Sequence, residues 1–148
     1  MKVIYLIGSL KARPTLIRVE KQLKEAGFEV FLDWLAPGEK ADDKWKEYSK
    51  ARGLSHREAL KSYAAQHIFE FDAFHIDRAD HGVLVMPCGK SGHIELGFMI
   101  GEGKRCFVLF PDGELDERWD IMHLYATKNN GAIVFSVEEL VRELNGMD

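Results

Sequence analysis

Short apolar runs alternate with longer amphipathic stretches along the 148-residue chain. Five of these runs are predominantly apolar rather than alternating, with Glu29 as the one charged residue among them, which is typical of parallel strands covered on both faces. They cover residues 3–7, 28–32, 82–86, 106–110 and 132–135. Between the first two runs, apolar residues recur at helical spacing from Leu16 to Ala26, and Gly27 follows where this helix should end. The pattern predicts five strands separated by helices.

Strands that alternate with helices predict an α/β fold with a parallel sheet and helices on both faces. The length predicts a single domain over residues 1–148. Because crossovers between parallel strands are right-handed, few topologies are possible. We favour a flavodoxin/Rossmann-like three-layer sandwich with a five-stranded parallel sheet in the order 2-1-3-4-5. Ligands bind such sheets at the switch point, here beyond the carboxyl ends of strands 1 and 3.

The remaining helices are predicted from their caps and their periodicity. Ser55 and Glu58 form a capping-box pattern that opens a long helix over 55–79, and Ser136 with Glu139 caps the last helix. Residues 92–101 and 117–127 are also predicted to be helical. The charged, turn-rich stretch near 36–54 is predicted to be a polar excursion or lid. Its Trp45 and Tyr48 are candidates for covering a planar ligand.

Composition and charge restrict the class of protein. The sequence is 46% hydrophobic and 30% charged, as in ordinary globular proteins, and its net charge of −4 includes no long basic run. We therefore expect no binding to polymeric nucleic acid. No apolar run approaches the roughly 20 residues of a membrane span, and the N-terminus reads as a strand rather than a signal peptide. With Cys88 and Cys106 as reduced thiols, we expect a cytoplasmic protein.

Two loops flank the predicted crevice. The first follows strand 1 and offers Gly8, Ser9, Lys11 and Arg13, in a position suited to a phosphate or a sugar hydroxyl, although a solvated loop is an equally good interpretation. The second follows strand 3 and contributes Gly89, Ser91 and Gly92, with backbone amides and a hydroxyl.

Two carboxylates near this crevice are candidate reagents. Asp72 falls in register with the apolar stripe of the long helix, where an unpaired acid would be costly. Glu95 lies in the first turns of the following helix, where acids also occur simply because they favour the helix dipole. An ion pair or a helix cap would explain either residue alone. Together they could supply a nucleophile and a general acid for glycosyl transfer.

Several motifs for other chemistry are incomplete. Gly89-Lys90-Ser91 would end a phosphate-binding P-loop, but the first glycine of that pattern is replaced by Leu84. The His-x-Glu spacing at 93–95 lacks the Pro-Cys-x-x-Cys of zinc deaminases, and no His-Glu-x-x-His pair occurs. No Gly-x-Gly-x-x-Gly follows a strand. We therefore expect neither a metal site nor a bound cofactor.

The residues considered above carry a resemblance to a known family. An N-terminal strand ending IYLIGSL, an acid on a long helix, the strand HGVLVMPCG and the segment SGHIELGFMIGEGKRCFVLF resemble the nucleoside 2-deoxyribosyltransferase superfamily. This superfamily includes transferases that exchange bases on 2-deoxyribosides and N-hydrolases that cleave nucleoside 5'-monophosphates. The resemblance runs from strand 1 through strand 4.

The resemblance implies roles for individual residues. Glu95 matches the nucleophile that attacks C1 of the sugar, and Asp72 matches the acid that assists departure of the base. Tyr5 to Ser9 match the segment lining the sugar pocket, and the G-S-L-K-x-R arrangement implies a 5'-phosphate near Ser9, Lys11 and Arg13. Ser91 matches a sugar- or phosphate-facing position. The resemblance also implies a homodimer or a higher homo-oligomer.

The sequence departs from the transferases at one informative position. Transferases usually carry a further acid six residues before the nucleophile, where this chain has Gly89. This difference favours hydrolysis of a nucleoside 5'-monophosphate over base exchange. The alternative from a different class is a non-catalytic nucleotide-binding or sensing module on the same fold.

Overall fold

A single parallel sheet forms the centre of the molecule. The structure is a computed structural model, and it describes residues 1–38 and 41–146. Its strands are ordered β2-β1-β3-β4-β5, and every pair of neighbours is parallel. The predicted α/β class and strand order are confirmed. The strands are β1 Val3–Ile7, β2 Glu29–Phe31, β3 His81–Val85, β4 Arg105–Leu109 and β5 Ala132–Val134.

Helices cover both faces of this sheet. The α-helices are α1 Arg13–Glu25, α2 Ala41–Ala51, α3 His56–Lys61, α4 Tyr63–Arg78, α5 Lys90–Gly101 and α6 Val137–Gly146. Short 3-10 turns occupy Leu10–Ala12, Asp33–Leu35 and Gly113–Leu115, and a longer 3-10 segment occupies Ile121–Asn130. Within the described ranges, none of the helices is long and apolar enough to cross a membrane.

The buried apolar residues form two layers, one on each side of the sheet. The first, against α1 and α6, includes Leu16, Val19 and Leu140, all of which are fully buried. The second, against α4, α5 and the 3-10 segment, includes Tyr5 and Met99. The continuous apolar strands are thus explained, because each strand contributes alternate residues to both layers.

The predicted helix over 55–79 is wrong as a single element. Its start is correct, since the Ser55–Glu58 capping box is present. However, Ser62 has extended backbone angles (φ −74°, ψ 159°) and divides the stretch into α3 and α4. The apolar stripe expected along the whole helix is accordingly buried only near its end, at Ile76 and Ala79, while Ile68 is exposed.

Two further predictions need correction. Residues 117–127 were expected to form a helix, but the 3-10 segment begins at Ile121, where the Asp120 side chain caps its first turn. The stretch 36–54 is more structured than its composition suggests, since most of it forms α2. Glu39 and Lys40 of that stretch lie outside the described residues, and its role as a lid remains a prediction. Ser136 caps α6 as expected, accepting a hydrogen bond from the Glu139 amide.

A lysine ties the end of α4 to the turn that precedes β4. The ammonium group of Lys104 donates to the carbonyls of Ile76, Asp77 and Ala79 at 2.7–2.8 Å. A cation at this position donates to carbonyls at the C-terminal end of the helix, one of which, that of Ile76, also accepts from the Ala79 amide, and it complements the helix dipole. The end of α4 is thereby held against the connection between α5 and β4.

Candidate active site

The first turn of α5 lies directly over the carboxyl ends of β1 and β3, at the switch point. Gly92 is buried there, and a Cβ added to it would lie 2.2 Å from Cys88 Sγ and 2.9 Å from Ile7 Cγ2. Leu84 of β3 would be 3.3 Å away. Only glycine allows this approach, so Gly92 sets the position of the helix that carries Glu95.

The loop after β1 is also closely packed. A Cβ on Gly8 would lie 2.6 Å from Leu16 Cδ2, so this glycine lets α1 pack against the strand end. The Ser9 hydroxyl accepts a hydrogen bond from the Lys11 amide at 3.2 Å and caps the following 3-10 turn. The Lys11 side chain is exposed.

Arg13 has a structural partner in this loop. Its guanidinium donates to the Leu35 carbonyl at 3.0 Å, which ties the start of α1 to the turn after β2. In the same region the Trp34 indole donates to the Leu6 carbonyl at 2.8 Å. The structure thus places Ser9, Lys11 and Arg13 at the carboxyl end of β1, but engages Ser9 and Arg13 in local hydrogen bonds.

A hydrogen bond joins β1 to α5 at the centre of the candidate site. The hydroxyl of Tyr5, a residue that is only 1% exposed, donates to Glu95 Oε2 at 2.9 Å. Burial raises the pKa of the Tyr5 hydroxyl far above its usual range, and the negative charges of Glu95 and Asp72 raise it further. Tyr5 therefore stays protonated and acts as a hydrogen-bond donor.

Asp72 approaches the same group from α4. It is half-buried, like Glu95, and its charge acts on the Tyr5 hydroxyl. The two candidate carboxylates, which are 23 positions apart in the sequence, thus lie close enough to a single phenol for both charges to affect its pKa. The fold brings Tyr5, Asp72 and Glu95 together, whereas Lys11 and Ser91 are exposed around them.

An aromatic stack supports Tyr5 from behind. The Tyr5 ring stacks on Phe31 of β2 with centroids 5.3 Å apart, and Phe31 stacks in turn on His75 at 3.8 Å. Phe71 contacts both Phe31 and His75. Sequence reasoning missed this stack because its members come from three separate elements. It fixes the Tyr5 ring, and it also orients the part of α4 that carries Asp72.

The second loop contributes a half-buried thiol, that of Cys88, and leads into the start of α5. Burial raises the pKa of the Cys88 thiol to about 11, and the negative charge of Glu95 adds to the effect, while amides of Gly89 and Gly92 partly offset it. A thiol in this state is a poor nucleophile at neutral pH. Gly89 is the N-terminal cap residue of α5, and Ser91 is exposed in its first turn.

Two histidines missed by the sequence analysis meet on the other side of α5. His93 Nε2 and His123 Nε2 are 2.9 Å apart, and the rings are nearly parallel. They line a hollow of about 610 Å³ between α5 and the 3-10 segment. The residues lining this hollow do not include Tyr5, Asp72 or Glu95. No spacing rule could have revealed the pair, because its members are 30 positions apart.

Metal-ligating residues do not cluster in the part of the chain that the structure describes. There, no three His, Cys, Asp or Glu side chains are placed to hold one metal ion. The chemical capacity of the candidate site therefore lies in two carboxylates, one phenol and the polar ends of a helix and a loop.

Comparisons with known proteins bear on the fold. No protein-family model matches the sequence, and no curated protein matches it significantly. Among solved structures, the chain is similar to the CMP N-glycosidase BcmB of Clostridium botulinum, with a TM-score of 0.58 and 16% sequence identity. The match covers 97% of this chain and 99% of that one. The chain therefore shares, over nearly its whole length, the fold of a CMP N-glycosidase.

Proposed function

We propose that this protein is an enzyme of the nucleoside 2-deoxyribosyltransferase type, which cleaves the N-glycosidic bond of a nucleoside or its 5'-monophosphate. One observation carries the proposal: Tyr5 donates to Glu95 at the switch point while Asp72 acts on the same hydroxyl. The family resemblance gives these two acids the roles of nucleophile and acid. The shared fold with a CMP N-glycosidase supports the same class of reaction.

In the proposed reaction, a Glu95 carboxylate oxygen attacks C1 of the sugar and forms an ester. The bond between C1 and the base nitrogen breaks, and its electron pair stays on the base, which takes a proton with the help of Asp72. Water then attacks C1 and gives a proton to Asp72, which has lost its own to the base, and Glu95 is released as a carboxylate. Two inversions at C1 give overall retention, as in retaining glycosidases.

Tyr5 has a positioning role in this scheme. Its hydrogen bond to Oε2 fixes the orientation of the Glu95 carboxylate, and its raised pKa keeps the proton on the phenol. A carboxylate that is already aligned loses less entropy on reaching the transition state.

Water is the favoured acceptor because Gly89 stands where transferases usually carry an additional acid. A Cβ at Gly89 would meet no atom within 4 Å, so packing does not explain this glycine. Lys11 and the loop after β1 are available for a 5'-phosphate, and we therefore favour hydrolysis of a nucleoside monophosphate. Transfer to a second base is the nearest rival.

The test is a chromatographic panel of nucleosides and 5'-monophosphates, incubated with and without a free acceptor base. We expect base to be released from a monophosphate without acceptor, and product formed only with acceptor would instead establish the transferase. Glu95→Gln should abolish turnover, whereas Glu102→Gln, at an exposed position beyond the end of the same helix, should not. No turnover with any compound, combined with nucleotide-induced stabilisation, would favour a binding module instead.

We also propose that the protein is a homodimer or a higher homo-oligomer. The outward surfaces of α4 and α5 carry large exposed apolar side chains, and a patch of this kind is typical of an interface. Its members include Tyr63, Phe69, Phe74, Ile94 and Phe98. Sedimentation equilibrium should give a mass of at least twice 16.9 kDa. Phe69→Glu should lower it, and a monomeric wild type would refute the proposal.

A further inference from the structure

The His93–His123 contact forms part of a continuous chain of hydrogen bonds. His93 Nδ1 lies 2.8 Å from the Gly89 carbonyl, and His123 Nδ1 accepts from the Asp120 amide at 3.1 Å. Because a carbonyl can only accept, His93 must carry its proton on Nδ1, which leaves its Nε2 as an acceptor. Because His123 Nδ1 accepts, the proton of His123 is on Nε2. The contact between the rings is therefore a hydrogen bond from His123 to His93.

This arrangement leaves no position for an additional proton. If His93 were protonated, its Nε2–H would point at the His123 Nε2–H. If His123 were protonated, its Nδ1–H would point at the Asp120 amide. In either case two donors face each other, and one ring must turn away. The hydrogen-bonded pair is stable only when both rings are neutral.

The surroundings favour the neutral form as well. His123 is only 3% exposed, and its ring packs edge-on against Phe110, which directly follows β4. Burial lowers the pKa of His123, and the neighbouring His93 lowers it further, against the opposing charge of Asp120. The other charged groups that line the hollows on the two sides of His123 are Lys128, Glu114 and Asp116. The residues of α5 that line the hollow, apart from His93, carry no charge.

The chain of hydrogen bonds ends at the candidate active site. Gly89 is the cap of α5, and Glu95 lies about 1.7 turns further on. The Gly89 carbonyl accepts from the His93 backbone amide at 3.3 Å as well as contacting its ring, and the bond from His123 to that ring ties this end of the loop to the 3-10 segment. On the other side of the pair, His123 contacts the capped start of the 3-10 segment through the Asp120 amide.

We propose that His93 and His123 are positioning residues that hold the loop over residues 86–89 and the first turn of α5 in place while both rings are neutral, and that acidification releases this loop and lowers turnover. This inference rests on the proposed function for its effect on turnover, but its structural part stands without it. The device makes the enzyme a sensor of mildly acidic pH.

The test compares His123→Gln with His123→Asn. A glutamine amide can donate to His93 Nε2, and it can flip to accept if His93 becomes protonated. Asparagine can accept from the Asp120 amide but is too short to reach His93. His56→Gln, an exposed histidine of α3, is the matched control.

We expect wild-type turnover to fall by up to tenfold per pH unit on the acidic side of the transition, because each unit reduces the neutral fraction tenfold. His56→Gln should show the same profile. His123→Gln should retain turnover at pH 7.5 and lose this acidic decline, whereas His123→Asn should be reduced at all pH values. An unchanged acidic decline in His123→Gln would overturn the proposal.

A second measurement separates this inference from the proposed function. Nuclear magnetic resonance should show the amide signals of Gly89 and Gly92 shifting between pH 7.5 and 5.5 together with the ring signals of His93 and His123. His123→Gln should suppress the shift of the amides. If no substrate is turned over but these shifts appear, the positioning role stands and only the proposed reaction fails. If the amides do not respond to pH, the pair does not hold the loop and the inference is wrong.

Discussion

Replacing Tyr5 with phenylalanine removes one oxygen atom and tests the arrangement around Glu95. The ring of Tyr5 is stacked on Phe31, and phenylalanine would preserve that contact. What disappears is the 2.9 Å hydrogen bond to Glu95 Oε2. The substitution thus separates the orientation of the carboxylate from the packing of β1.

The size of the effect follows from the type of bond. A hydrogen bond to a charged group contributes about 1.5–3 kcal/mol, and each 1.4 kcal/mol corresponds to about a factor of ten in rate. Glu95 is half-buried, so water can partly replace the lost donor, and we use the lower half of this range. Tyr5→Phe should therefore reduce kcat by about 10- to 30-fold with little change in KM.

Stability should fall by a similar free energy. The same hydrogen bond contributes about 1.5–2 kcal/mol to folding, which corresponds to a decrease in Tm of about 3–8 °C for a domain of this size. Because Tyr5 remains protonated in the wild type, both proteins should show the same activity profile on the alkaline side up to about pH 10.

The assay is initial-rate release of base, measured beside a thermal melt of each protein. A Tyr5→Phe protein with the expected Tm and wild-type kcat would refute the argument that this hydrogen bond positions the nucleophile. A Tm lower by more than about 10 °C would show instead that the hydroxyl is needed mainly for folding.

Three further predictions concern neighbouring groups. Glu95→Gln removes a negative charge that raises the pKa of Cys88, so iodoacetamide should alkylate this thiol faster at pH 8.5. An unchanged rate of alkylation would contradict the proximity of the two groups. Gly92→Ala should destabilise the protein by about 1–3 kcal/mol in chemical denaturation, because the added Cβ would overlap Cys88 Sγ. Adding Cys88→Ala should restore part of this stability but not all of it, since the Cβ would still be too close to Ile7. Burial lowers the pKa of His81, so a proton binds more tightly to this residue in the unfolded chain than in the folded protein. The free energy of unfolding should therefore fall as the pH drops below 6.5. Chemical denaturation at pH 7.5 and 5.5 should show a smaller decrease in this free energy for His81→Asn than for the wild type.

Continuous apolar strands and regular helices were predictable because burial on both faces of a parallel sheet leaves a strong signal in the sequence. The strand order followed from the right-handed connections of parallel strands and is confirmed. The break at Ser62 was not predictable, because the stretch on both sides of it has good helical periodicity. The packing that accompanies the break is tertiary: α4 contacts the sheet along its second half, where Phe71 and His75 contact Phe31 and Ile76 is buried.

The partners of the candidate site residues were also beyond the sequence. Tyr5 was identified through the resemblance alone, and its contact with Glu95 depends on how α5 crosses the strand ends at Gly92. Arg13 was proposed as a phosphate ligand from its position in the chain, whereas the fold engages it with the Leu35 carbonyl. The His93–His123 pair depends on the irregular path before Ile121, which carries no periodic signal at all.

The three hydrogen bonds of Lys104 give α4 a pivot at one end, whereas its other end contacts the short helix α3 through Gln66, whose side chain donates to the Leu60 carbonyl. Ile76, at the pivot, lies about 6 Å along the helix axis from Asp72 and about 20 Å from Tyr63. The extended backbone at Ser62 interrupts the helix between α3 and that far end of α4. A swing of α4 about Lys104 would therefore move Tyr63 about three times as far as Asp72. The acid beside Tyr5 would stay near its partner while the outer part of the helix moved.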